Sequence, residues 1–256
     1  MNLWQNFIIV GDNHGDLEER SVTSAMFKFM KDWQPKHRIH LGDCFDARPL
    51  RSGVNPDEAK EGVAADFATG AEFLLKFRPT AFLRGNHDER LWEQSRRSGM
   101  LGEYAQDLTD TVEDYLKKTR CPMLPYDKRL GVYKLGLLNV IHGYSHGMNA
   151  VRTAAQTYGA VVQGHIHSTQ TAVIPALDYR VGRSIACLCD LDPNYTLRTI
   201  GYLNHSHGFG YGITNRKTGE YQFWQAEVIN GMLILPSEVK VYNTTKRKRF
   251  SADRSL

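Results

Sequence analysis

Five short groups of polar residues stand where apolar runs of this chain end: Asp12-Asn13-His14, Gly42-Asp43-Cys44-Phe45-Asp46, Gly85-Asn86-His87-Asp88, His142-Gly143 and Gly164-His165-Ile166-His167. Carboxylates, imidazoles and amide carbonyls in mixture suit Mn, Fe or Zn, whereas an all-oxygen set points to Mg or Ca. Such donors could serve the hydrolysis of a phosphate ester. That reaction needs charge neutralisation on the phosphoryl oxygens and a hydroxide available near neutral pH. Two divalent ions about 3.5–4 Å apart supply both, by clamping the phosphate and acidifying a shared water. Such a pair wants one bridging carboxylate with neutral imidazole and carbonyl ligands around it.

The elements that would position these groups alternate along the first two thirds of the chain. Phe7–Val10, Arg38–Leu41 and Thr80–Leu83 read as strands, and 17–33 and Asp57–Phe77 carry apolar residues at helical spacing. This rhythm argues for parallel strands joined by helical crossovers. Side chains converge where parallel strands end, because there the chain leaves the sheet. The stretch Asp88–Lys118 reads as polar helix outside the sheet, Gly136–Ile141 and Ala160–Gln163 as strands, and Asn149–Tyr158 as a helix between them. Beyond Thr171, the β-like runs Thr199–Leu203, Gly210–Thr214, Tyr221–Trp224 and Met232–Leu235 suggest a second, mostly antiparallel sheet. One domain over 1–242 and a basic tail over 243–256 is the expected organisation.

In this order (D-x-H, GDxxD, GNH-D, H, GHxH) the motifs, over about residues 7–167, resemble the calcineurin-like metallophosphoesterases. The resemblance implies an α/β fold, a four-layer α/β/β/α sandwich of two mixed sheets. It implies two divalent metal ions, Mn first, with Fe, Zn, Ni and Mg as alternatives. Asp12, His14 and His167 look like ligands of the first ion, Asp43 like the bridge, and Asn86, His142 and His165 like ligands of the second. An ion-bridging hydroxide would attack phosphorus in line. His87 would protonate the leaving oxygen, and Asp46 would orient His87. The chain departs from the phosphoprotein phosphatases of the superfamily, which place Arg directly after GDxxD; here Ala47 stands there and Arg48 follows. The GDxFD form tilts the reading towards a phosphodiesterase or nuclease. A phosphomonoesterase is the alternative. A non-catalytic scaffold is a third class, and such degenerate members lose ligands or the acid histidine, all of which are present here.

Plainer readings stand beside these. Asp12 and Asp43 could be helix N-caps, and His142 a satisfied core histidine with His146 as its competitor. His205 and His207 repeat the His-x-His spacing without an Asp partner, which suits a substrate rim better than a metal site. His37 and His40 are simplest as strand residues. Arg84 and Arg183 could reach a phosphate. With 41% hydrophobic and 23% charged residues the chain can bury a full core without disulfides, and its formal charge of +4 fits an anionic substrate without demanding one. The run Lys246-Arg247-Lys248-Arg249 could touch nucleic acid, in a groove lined by Lys and Arg from Asp88–Lys118. Cys44, Cys121, Cys187 and Cys189 show no CxxC spacing, so reduced thiols in the cytoplasm are expected, with Cys187 and Cys189 on a strand. The apolar run near the N-terminus is too short to span a membrane, and the substrate partner is a phosphate ester in a chain of undetermined oligomeric state.

Overall fold

The computed structural model describes residues 3–51, 54, 57, 60, 62–191, 204–229, 231–233 and 235. The first sheet starts from β1 (Trp4–Val10), whose Phe7, Ile8, Ile9 and Val10 are completely buried. A strand apolar on both faces needs a layer on each side. Ile8 and Val10 meet Val22 and Met26 of α1 (Arg20–Trp33) and Phe73 and Phe77 of α2 (Ala64–Phe77). Phe7 and Ile9 turn the other way, onto Leu138, Val140 and Val162 of a second sheet. Beside β1 lie β2 (His37–His40), β3 (Ala81–Leu83) and β4 (Met123–Leu124), all parallel. Between β3 and β4 run α3 (Asn86–Ser95) and α4 (Met100–Lys118), which pack Leu91, Trp92, Val112 and Leu116 against Phe82.

The second sheet runs β5 (Tyr133–Leu135), β6 (Leu138–Val140), β7 (Val161–Gln163), β9 (Arg180–Ser184), β8 (Gln170–Ile174) across its width. Its outer face is covered by α5 (Ala150–Tyr158), which packs on β7, β8 and β9. Helices, sheet, sheet and helix make four layers. Both sheets mix parallel and antiparallel pairs, as expected.

The late strands go elsewhere than the sequence suggested. Rather than forming the second sheet, β10 (His207–Asn215), β11 (Tyr221–Ile229) and β12 (Met232–Leu233) extend the first one, with β10 antiparallel to β1. The reason lies in HGFGYGITN. Phe209 and Tyr211 face α1, where Phe29 packs within 5.2 and 5.0 Å of their rings. The glycines between them face the inter-sheet space. A Cβ on Gly212 would lie 2.4 Å from the Phe7 ring, so only glycine leaves room for that side chain over the strand. The second sheet is instead built from residues 133–184, where β5, β8 and β9 were not anticipated.

Other boundaries also moved. The expected helix from 17 begins at Arg20, because Gly15–Leu17 form a 3-10 turn and the Glu19 carboxylate caps the helix by accepting from Ser21 N–H. The stretch 88–118 is two helices, broken where Gly99 takes φ +95°. Cys187 and Cys189 sit in isolated bridges, to His207 and Glu18, and not on a strand. Thr199–Leu203, residues 58, 59 and 61 and the tail 243–256 lie outside the described residues. Among the described residues no helix is long and apolar enough to cross a membrane.

Candidate metal centre

Each motif follows a parallel strand, and the five loops meet at one end of the two sheets. Backbone bonds align them first. Asp12 N–H donates to Gly42 O (3.0 Å), His14 N–H to Asp43 O (2.9 Å) and Gly15 N–H to Cys44 O (2.9 Å), so the loops after β1 and β2 run side by side. The Asp12 carboxylate then crosses to the second sheet and accepts from His165 N–H at 3.1 Å. Close approach is bought with glycine at Gly42, φ +112°, where a Cβ would fall 2.3 Å from Gly85 N. Elsewhere it is held under strain. Asp12, His14, Asp43, His165 and His167 all have positive φ, between 49° and 70°. A non-glycine residue in that region costs on the order of 1–3 kcal/mol and persists only where the surroundings over-determine it.

The side chains converge around Asp43. Its Oδ1 accepts from His87 N–H at 2.8 Å, which fixes the carboxylate plane. Its Oδ2 is left 3.8 Å from His14 Nε2 and 3.3 Å from His142 Nε2. On one side, His14 Nε2 lies 3.1 Å from His167 Nε2, which is 3.5 Å from Asp12 Oδ1. On the other, His142 Nε2 lies 3.0 Å from Asn86 Oδ1 and 3.2 Å from His165 Nδ1. All seven expected ligands are therefore in one place, in two groups that share Asp43. His14, Asp43 and His87 form one group, and Asp43, His142 and His165 another, with donor atoms within 4.8 Å of one another, close enough to hold cations.

The far sides of two of these rings are tied down by oxygen acceptors. His14 Nδ1–H donates to Asp46 Oδ1 (2.9 Å) and His142 Nδ1–H to Leu41 O (3.1 Å). That tautomer leaves the Nε2 lone pairs facing the centre, as metal-ligating histidines require. Asp46 Oδ1 also meets His87 Nδ1 at 2.5 Å, leaving His87 Nε2 as the nitrogen for a substrate. His87 keeps 20% of its side chain exposed, whereas Asp43 and His14 keep 2%. It stands at the mouth, the rest beneath.

The electrostatics describe a site short of positive charge. Burial works to raise the Asp12 and Asp43 carboxyls. The adjoining His167 and His142 overcome it, bringing Asp12 down to about 2 and Asp43 well below the carboxylate range. Burial equally works to lower His142, yet Asp43 raises it to about 9. A divalent cation taken up at His142 Nε2 would expel the proton held there. Calorimetry near neutral pH in buffers of different ionisation enthalpy should show net proton release, with affinity climbing as pH rises towards about 9. A pH-independent affinity would contradict this arrangement.

Several residues that sequence reasoning passed over hold the centre together. Asp88 accepts from Asp43 N–H, Gly85 N–H and Phe45 N–H at 2.8, 2.8 and 2.9 Å, strapping two loops, and burial beside Asp43 lifts its pKa to about 7. Asp66 accepts from Asp46 N–H and Ala47 N–H, and burial raises it to about 6. Asn13 Oδ1 accepts from His40 Nε2–H at 2.9 Å, and burial holds His40 neutral, with a pKa of about 3. Arg90 Nη1 donates to Asp46 O (3.1 Å) and lies 3.0 Å from His87 Nδ1. Asp66, twenty residues past Asp46, carries no motif; Asp88 stood inside one and was legible only as part of it.

The plainer readings divide. Asp12 and Asp43 cap no α-helix, since α1 is capped by Glu19 and α2 starts after Val63. His37 and His40 are strand residues of β2. His146 Nε2 reaches His165 Nε2 at 3.1 Å, and the His205 ring centroid is 4.9 Å from that of His167, so both flank the centre. His207 Nε2–H instead donates to Cys189 O. Arg84 stacks on Trp92 beside Glu89, and Arg183 lies over Phe223; neither enters the cluster. Of the stretch expected to line a Lys/Arg groove, α4 carries Glu103, Asp107, Asp110, Glu113 and Asp114 beside Lys117 and Lys118, and the arginines Arg90, Arg96 and Arg97 stand before it.

Residues 6–169, which carry all five loops, match the sequence profile of the calcineurin-like phosphoesterases. The chain belongs to that family. Calcineurin-like phosphoesterases are metal-dependent hydrolases, and the His and Asp groups described above are where this one could bind its metal. Among solved structures, an archaeal phosphodiesterase is similar at 15% identity, over 86% of this chain and 99% of that one, with a TM-score of 0.42. Vps29 from Entamoeba histolytica is similar at 10% identity, over 90% and 96%, TM-score 0.44. A Mycoplasma pneumoniae phosphatase is similar at 12% identity, over 89% and 95%, TM-score 0.41. No curated protein sequence matches the chain.

Proposed function

We propose that this calcineurin-like phosphoesterase hydrolyses phosphodiesters with two divalent cations. Asp12, His14 and His167 would hold the first, Asn86, His142 and His165 the second, and Asp43 would serve both. The observation that carries the reading is the Asp43 carboxylate, with one oxygen pinned by His87 N–H and the other shared between His14 and His142. When bound, two such cations neutralise phosphoryl charge and acidify water. The mixed nitrogen and oxygen donors suit Mn first, with Fe, Zn, Ni or Mg as alternatives.

The chain's own groups supply the rest. Asp46 Oδ1 orients His14 and His87 together. His87, 20% exposed and backed by that carboxylate, carries at Nε2 the proton that the leaving oxygen takes. Burial pulls the His87 pKa below that of a free imidazole, and the Asp43 and Asp46 charges oppose that shift without reversing it.

A diester is favoured over a monoester by the second motif, where Ala47 stands in the place of the phosphoprotein phosphatases' arginine. A monoester dianion asks for extra cationic groups. The nearby guanidinium of Arg48 is engaged by Asp16 at 2.9 Å and by Asp46 at 3.4 Å. Nucleic acid stays in the reading through the Lys246–Arg249 run, which lies outside the described residues. Four free, buried cysteines support a reducing, cytoplasmic setting. The test compares a nitrophenyl diester with the matching monoester in the presence of Mn. Faster turnover of the diester is expected, and preference for the monoester would overturn the assignment.

A further inference from the structure

Cys189 belongs to none of the five motifs, yet it is buried and its backbone is built into the centre. Leu188 N–H donates to Asp12 O (3.1 Å), Glu19 N–H to Leu188 O (2.8 Å) and Asp190 N–H to Leu17 O (2.8 Å), which fastens 188–190 to the loop carrying Asp12 and His14. From the other side His207 Nε2–H donates to Cys189 O at 2.9 Å. Held this way, Cys189 Sγ stands 3.7 Å from His167 Nδ1, beside the Cys187 thiol, which bonds to the same ring and to Cys189. The opposite ring nitrogen, Nε2, faces His14 Nε2 at 3.1 Å and Asp12 Oδ1 at 3.5 Å.

The two nitrogens of an imidazole point away from each other, so a group at Nδ1 does not share an ion bound at Nε2. We infer that Cys189 is a positioning residue. Its sulfur accepts from His167 Nδ1–H, fixes the tautomer that presents Nε2 to the first cation, and takes the part a carboxylate or carbonyl plays behind other ligating histidines. Within this centre the contrast is direct: Asp46 backs His14, Leu41 O backs His142, and a sulfur backs His167. The inference rests on the reading of His167 as a ligand. The competing arrangement is direct ligation, because His14, His167 and Cys189 each bring a donor atom within 4.8 Å of one another.

The test uses the full chain, stripped by chelator and titrated calorimetrically with Mn and with Co. Cys189→Ala, and Cys189→Val as a space-filling variant without an acceptor, should weaken one binding step about 10–100-fold and leave the other unchanged, with Cys189→Ser restoring most of the loss. The wild-type Co complex should lack an intense sulfur-to-cobalt band in the near ultraviolet. Unchanged affinities in the Ala and Val variants would overturn the inference, and so would such a band that disappears in Cys189→Ala. His167→Ala separates the two levels: if it binds both ions as tightly as wild type, the ligand reading itself falls and this one with it.

Discussion

Asp43→Asn should lower phosphodiester hydrolysis by about 10³-fold or more, which corresponds to roughly 4 kcal/mol of transition-state stabilisation. The substitution is nearly isosteric. The amide carbonyl can still accept from His87 N–H, the 2.8 Å bond that sets the side-chain plane. The amide nitrogen then takes the position of Oδ2, between His14 and His142, and aims hydrogens where cations belong. Both groups of donors lose their shared anion at once, so metal binding and turnover fall together. Circular dichroism should show the helices intact, and calorimetry should show a lost binding step. Turnover within a few-fold of wild type would mean that Asp43 bridges nothing.

The second large effect is expected at His87 and depends on the substrate. A positioned acid is worth about 10²–10⁴-fold when the leaving oxygen is a poor one. His87→Ala should therefore cost that much on an alkyl or nucleoside leaving group. On a nitrophenyl diester, whose phenolate departs without help, the loss should be much smaller. Metal affinity should stay close to wild type, because His87 lies at the mouth of the centre, 20% exposed, while the donors lie below it. Equal losses on both substrates would place His87 in a positioning role. No loss on either would remove it from the reaction.

The centre was more legible in the sequence than the sheets that carry it. Asp12, His14, Asp43, Asn86, His142, His165 and His167 could be named because their motifs, in that order, resemble the calcineurin-like metallophosphoesterases, and the structure brings these side chains together. The strands could not all be read. Residues 207–215 join β1 through a pattern of glycines alternating with aromatics, and the partner of such a pattern is decided by Phe7, two hundred residues away. Asp66 was equally invisible: its two bonds to Asp46 N–H and Ala47 N–H exist only once α2 packs beneath the loop. The polar stretch 88–118 does lie outside the sheet, but its second helix, α4, carries more acidic than basic residues. Helical periodicity reported where that face points, and the sign of its charge was not weighed.

The most direct measurement is a crystal structure of the chain soaked with Mn and phosphate, with ions located by their anomalous signal. Two peaks about 3.5–4 Å apart should appear, with Asp43 between them and phosphate oxygens on both. A single peak, or two peaks that do not share Asp43, would contradict the account.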